Sequence, residues 1–146
     1  MGSLTHCCYC CRKFVSLRGL FFVLIDDLDI HVITPNGYEI YYGATSDPTT
    51  GGFLDVDMIP GSPCSNTCEE NVENIVFPQG SPSGTYRYFV RQYSVLGVGP
   101  DDWSVVVFDD AASQVVASHT GNCATNCPDV GGYNKQQSTT FEYEIF

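Results

Sequence analysis

Basic residues are scarce. Six Lys and Arg stand against 17 Asp and Glu, and the formal net charge is -11. The scarcity is uneven. Residues 1–25 hold Arg12, Lys13 and Arg18 and no acid, so residues 26–146 hold every acid and only Arg87, Arg91 and Lys135 as cations. Such a body repels phosphates, which argues against a nucleic-acid partner and makes small cations the natural one. Long apolar runs are also missing. The best, "GLFFVLI" (Gly19 to Ile25), is too short to span a bilayer. It runs into Asp26 and Asp27 without a small-residue cleavage site, so it reads as a first strand and not as a signal peptide. Membrane contact is expected only through the basic, Cys-rich tail 1–18, if anywhere. The myristoylation pattern fails there, because His6 stands where Ser or Thr is needed. No segment sustains a 3.6-residue period, which leaves no amphipathic helix to expect. No EF-hand loop and no G-x-S-x-G elbow occur.

What is present is alternation. Hydrophobic residues make up 43% and aromatics 13% of 146 residues, enough for one cored domain, placed at 19–146. Leu28, Ile30 and Val32 alternate with Asp27, Asp29 and His31, and "PNG" (Pro35 to Gly37) supplies a hairpin turn before "YEIYY". Leu54, Val56 and Met58 alternate with Asp55 and Asp57. "ENIVFP", "TYRYFVRQYSV", "DWSVVVFDD", "SQVVASHT" and "TTFEYEIF" continue the pattern between Gly, Pro, Asn and Ser turns. About eight short strands result. The expected fold is all-β, an antiparallel β-sandwich of jelly-roll or Greek-key kind, with the polar side of each strand turned outward.

The eight Cys fall into two sets. Cys7, Cys8, Cys10 and Cys11 sit in the tail, and Cys64, Cys68, Cys123 and Cys127 form two C-x3-C pairs in the acidic body. The second set reads as two disulfides, hence an oxidising compartment and a secreted or surface location. Structural zinc and free thiols are the rivals. A cross-link between the two loops would constrain the unfolded chain more than two small rings would.

Alternation brings Asp27, Asp29 and His31 to one face of a strand, and Asp55 and Asp57 to one face of another. Crowded carboxylates need water or a cation between them, and hard oxygen clusters suit calcium. Glu73 follows the Cys64–Cys68 loop and can join them. The competing reading is an ordinary solvated acidic sheet face.

"DLDIHVITPNGYEIYYG", "GGFLDVDM" and "VENIVFPQGSPSGTYRYFVRQYS", in that order, resemble the blocks of the YfaP-like (DUF-type) β domains of bacterial secreted and surface proteins. These are similar in style to the calcium-associated pre-peptidase C-terminal sandwich domains. The resemblance covers Gly19 to Ser94 well and the remainder loosely. It implies a β-sandwich and assigns block positions to Asp27, Asp29, His31, Pro35, Gly37, Gly51, Gly52, Asp55, Asp57, Glu73 and Asn74. Phe77 departs from a common Trp, and the loop Gly61 to Asn71 replaces a shorter Gly-rich link.

The leading functional reading is a non-catalytic extracellular accessory, adhesion or binding module stabilised by calcium at Asp27, Asp29, Asp55, Asp57 and Glu73. Its partner would be a polysaccharide, a surface protein or a larger parent chain. Tyr38, Tyr41, Tyr42, Tyr86, Tyr88 and Tyr93 are candidate stacking residues, or else core packing. The alternatives are a coat or matrix subunit assembling through sheet surfaces, and a metal-dependent hydrolase using Asp29 and His31. The hydrolase lacks a Gly-Asn-His block, since "TGNC" has no His, and no catalytic residue is assigned.

Overall fold

Strands dominate because β-branched and aromatic residues recur at every second position between breakers. The computed structural model describes residues 27–57, 73–94, 102–109, 112–123 and 136–145. They form ten strands: β1 (Asp27–Ile33), β2 (Glu39–Ile40), β3 (Ser46–Asp47), β4 (Gly52–Val56), β5 (Asn74–Val76), β6 (Gly84–Ser94), β7 (Asp102–Asp109), β8 (Gln114–Asn122), β9 (Gln136–Gln137) and β10 (Phe141–Ile145). The fold is all-β. The count exceeds the expected eight because β3 and β9, each of two residues, lie in stretches outside the alternating segments. The tail, the "GLFFVLI" run and Cys64, Cys68 and Cys127 lie outside the described residues.

Every pairing among the described strands is antiparallel. One sheet runs β10-β6-β1-β2, with β9 also on β6; a second runs β3-β4-β5; β7 and β8 form a hairpin. The 11-residue β6 organises the first sheet, with β1 along one edge and β9 and β10 along the other. The "PNG" turn closes as expected. Gly37 takes φ +83°, its N–H donates to the Thr34 carbonyl at 2.8 Å, and the Thr34 N–H donates to the Tyr38 carbonyl at 2.8 Å. Glu39 therefore lands opposite Ile33. The return strand is shorter than "YEIYY" suggests. Pairing with β1 stops at Ile40, because Tyr41 folds back into a bridge with Ala44.

One core joins all the sheets. Leu28, Ile30, Val32, Tyr86, Tyr88 and Val90 present the even-numbered face of β1 and β6 to Ile75, Phe77, Trp103, Val105 and Val107. Phe77 meets Tyr86 edge-on at 4.9 Å, and Trp103 meets Phe141 at 6.1 Å. Tyr86 and Tyr88 are thus core residues, not stacking candidates. The odd-numbered face departs from expectation. Asp29 is 3% and His31 1% exposed, so β1 is buried on both faces and its polar side is not a wet one. The cause is a second layer of rings over that face, formed in part by Tyr41 and Phe89.

Candidate metal centre

β2 covers only Val32 and Ile33 of β1, which leaves the preceding stretch of that edge without a β2 partner. β5 approaches there. The Ile30 N–H donates to Glu73 Oε2 at 2.6 Å, in a buried bond that joins residues 43 apart. Glu73, one residue before β5, thus completes the edge of β1 with a side chain where no described strand does. It is 4% exposed.

Around this bond the chain collects three acids. One carboxylate oxygen each from Asp29, Asp57 and Glu73 lies within 4.8 Å of the others. Asp29 and Glu73 are buried and Asp57 is exposed, so the group opens on one side. Like charges this close in a poorly solvated place demand a counter-charge. Oxygen donors of this type and number suit a hard cation such as calcium, which completes its six to eight ligands with carbonyls and water.

The other expected ligands are placed differently. The pairing of β4 with β5 slips between Leu54 and Val56, so the period of two breaks at Asp55. Asp55 is exposed, and its Oδ2 accepts the Asn74 side-chain amide at 3.1 Å. Asp27 begins β1, where its backbone pairs with Ser94 beyond a bulge. Asn74 adjoins the site in sequence and ties β5 to Asp55.

His31 follows Asp29 on the same face of β1, but its bonds point elsewhere. Its ring lies between Tyr41 (5.0 Å) and Phe89 (4.9 Å), each inclined by only 13°. Its Nδ1 is 2.7 Å from Glu39 Oε1. An ionised carboxylate only accepts, so Nδ1 carries the proton. Nε2 is buried with no hydrogen-bond partner among the described residues. Burial pushes the His31 pKa down, against the opposing bond to Glu39, and the ring is neutral. The bond from His31 lowers the Glu39 pKa against a smaller effect of burial. Glu39 was not singled out from sequence. The signal was there, since the turn sets Glu39 opposite Ile33 and so diagonal to His31 on one face.

Arg91 stands opposite Asp29 on β6. Its guanidinium donates to Gln137 Oε1 and lies 5.1 Å from the Phe89 ring centre. Tyr41, Tyr42 and Tyr93 extend the aromatic layer, each ring edge-on to the next at about 5 Å. Of the four expected disulfide residues, Cys123 is described; it is buried in the core at the end of β8 and disulfide-bonded, with its partner outside the described residues. His119 lies within β8, where its ring stacks on Phe141 at 3.8 Å and Nε2 is 3.1 Å from the Tyr88 hydroxyl. No helix among the described residues is long and apolar enough to cross a membrane. No family model, no curated protein and no solved structure matches the chain.

Proposed function

We propose that the protein is a non-catalytic extracellular binding or accessory module, of the YfaP-like kind, in which calcium bound by Asp29, Asp57 and Glu73 clips β5 to the edge of β1. The observation that carries the reading is the convergence of two buried carboxylates and a third, exposed one within 4.8 Å. A cation there neutralises charge that would otherwise oppose folding, and it does so where the sheets meet. The disulfide at Cys123 supports an oxidising compartment, and with it secretion or display at a surface. The non-catalytic part is supported by His31. A general base needs an accessible nitrogen, and this ring is closed between Tyr41 and Phe89 and bonded to Glu39. Calcium titration followed by thermal melting tests the reading. Millimolar calcium is expected to raise Tm and a chelator to reverse it. An unchanged Tm, with Asp29→Asn melting higher than the wild type in both conditions, would refute the site and show mere carboxylate repulsion.

A further inference from the structure

The hydrogen-bond phase of the five-stranded sheet can be worked out residue by residue. The Ile30 N–H points away from β6, since it donates to Glu73. In an antiparallel pair the direction alternates, so the odd-numbered residues of β1 bond to β6. The odd-numbered residues of β6 then face β1, and its even-numbered ones face the opposite edge. Val90 confirms the phase there. Its N–H donates to Ser138 Oγ at 2.9 Å, and its carbonyl accepts the Ser138 N–H at 2.8 Å. On β10 the residues turned toward β6 are therefore Phe141, Tyr143 and Ile145, opposite Tyr88, Tyr86 and Gly84. The residues whose N–H and carbonyl point outward are Glu142 and Glu144.

Both are exposed, and both carry carboxylates on the same face. Glu144 accepts the Thr85 hydroxyl at 2.5 Å. Glu142 faces Arg87 in register. No described strand covers this edge. A second copy is a poor cover. Antiparallel pairing centred on Tyr143 sets Glu142 opposite the other copy's Glu144, and like charges in direct opposition are unfavourable. An incoming strand with a cation opposite each Glu, and apolar residues opposite Phe141, Tyr143 and Ile145, meets no such penalty. No two of the chain's six cations are spaced two apart, so the chain does not contain this strand itself.

From this we infer that the β10 edge is a docking site for an extended segment of another protein with a Lys/Arg-x-Lys/Arg alternation, added as a further antiparallel strand. The edge rejects its own copy by charge and selects a basic strand by the same charge.

The test uses the full chain with two blocked peptides, Ile-Lys-Val-Lys-Ile and Ile-Glu-Val-Glu-Ile, and amide exchange read at Glu142 and Glu144. The Lys peptide is expected to slow exchange at both amides by about tenfold at saturation, and the Glu peptide to leave them unchanged. The Glu142→Lys/Glu144→Lys protein is expected to reverse the preference. The single variant Glu142→Lys is expected to dimerise through this edge, because the introduced ammonium of each copy would then face Glu144 of the other. Equal protection by both peptides, or by neither, overturns the proposal. So does concentration-dependent protection of these amides in the wild type, which would make a second copy the occupant.

Discussion

The carboxylate of Glu73 accepts the backbone N–H of Ile30, a side chain doing for β1 what a neighbouring strand would otherwise do. Two roles meet in one residue, and substitution separates them. Glu73→Ala leaves a buried N–H without its acceptor and is expected to cost about 1–3 kcal/mol in chemical denaturation, whatever the metal content. Glu73→Gln keeps an acceptor oxygen and removes the charge. Without calcium it is expected to be at least as stable as the wild type, since it relieves repulsion from Asp29 and Asp57. With calcium it is expected to fall behind. Equal calcium responses in the wild type and the Gln variant would take Glu73 out of the site.

Acid should weaken the fold through His31. Burial lowers its folded-state pKa below the ordinary value of 6.5, so as pH falls the unfolded chain binds the proton first. Stability is then expected to decline with pH below about 6.5, until the folded ring also titrates. Glu39 acts in the same direction at lower pH, because its folded-state pKa is also depressed and the bond it accepts from His31 weakens when the carboxylate is protonated. Tm measured from about pH 8 to about pH 4 checks both. His31→Gln is expected to flatten the upper part of that slope. If the decline just below the ordinary histidine pKa persists in this variant, another group is responsible.

Alternation along β1, β6 and β10 made the strands legible, since Leu28, Ile30 and Val32 could be buried on one face only by extended backbone. It misled about the other face. A polar residue at alternate positions normally means solvent, but Asp29 and His31 are buried, His31 between the rings of Tyr41 and Phe89, and ring coverage of that kind is tertiary. The ligand set was partly legible for a similar reason. Asp29, Asp57 and Glu73 could be nominated from charge, yet which acids meet depends on the slip in β4 between Leu54 and Val56. No local pattern announces a bulge there, so Asp55 stood level with Asp57 in the sequence and not in space.

Asp47 organises the "TSDPTTGG" loop, Thr45 to Gly52. It is 1% exposed and accepts the Thr49 N–H and the Thr50 hydroxyl, each at 2.9 Å. Its carbonyl accepts the Gly51 N–H at 2.8 Å. Burial pushes its pKa up, but donors on Thr49, Thr50, Thr34 and Asn36 together outweigh this and hold the carboxyl below the usual range. Asp47→Ala is expected to lose about 1.5–3 kcal/mol, the usual scale for bonds to a charged acceptor. Urea denaturation measures it. A loss below about 0.5 kcal/mol, the scale of an ordinary surface change, would show that the loop closes without Asp47.

The two glycines of "GGFLDVD" answer to different constraints, and only one of them is steric crowding in the core. Gly51 sits at φ +72°, in the region that side chains disfavour. Gly52 is buried, and a Cβ there would overlap the Phe77 ring and come within 2.9 Å of Ile40 Cδ1. Phe77 cannot yield freely, because it packs edge-on against Tyr86. Gly52→Ala is therefore expected to cost about 1–3 kcal/mol by overpacking. Phe77→Leu would be destabilising alone but should recover part of that loss in the double variant, a coupling that a double-mutant cycle reads directly. Strict additivity of the two changes would mean that Gly52 is required for its backbone and not for the ring that lies against it.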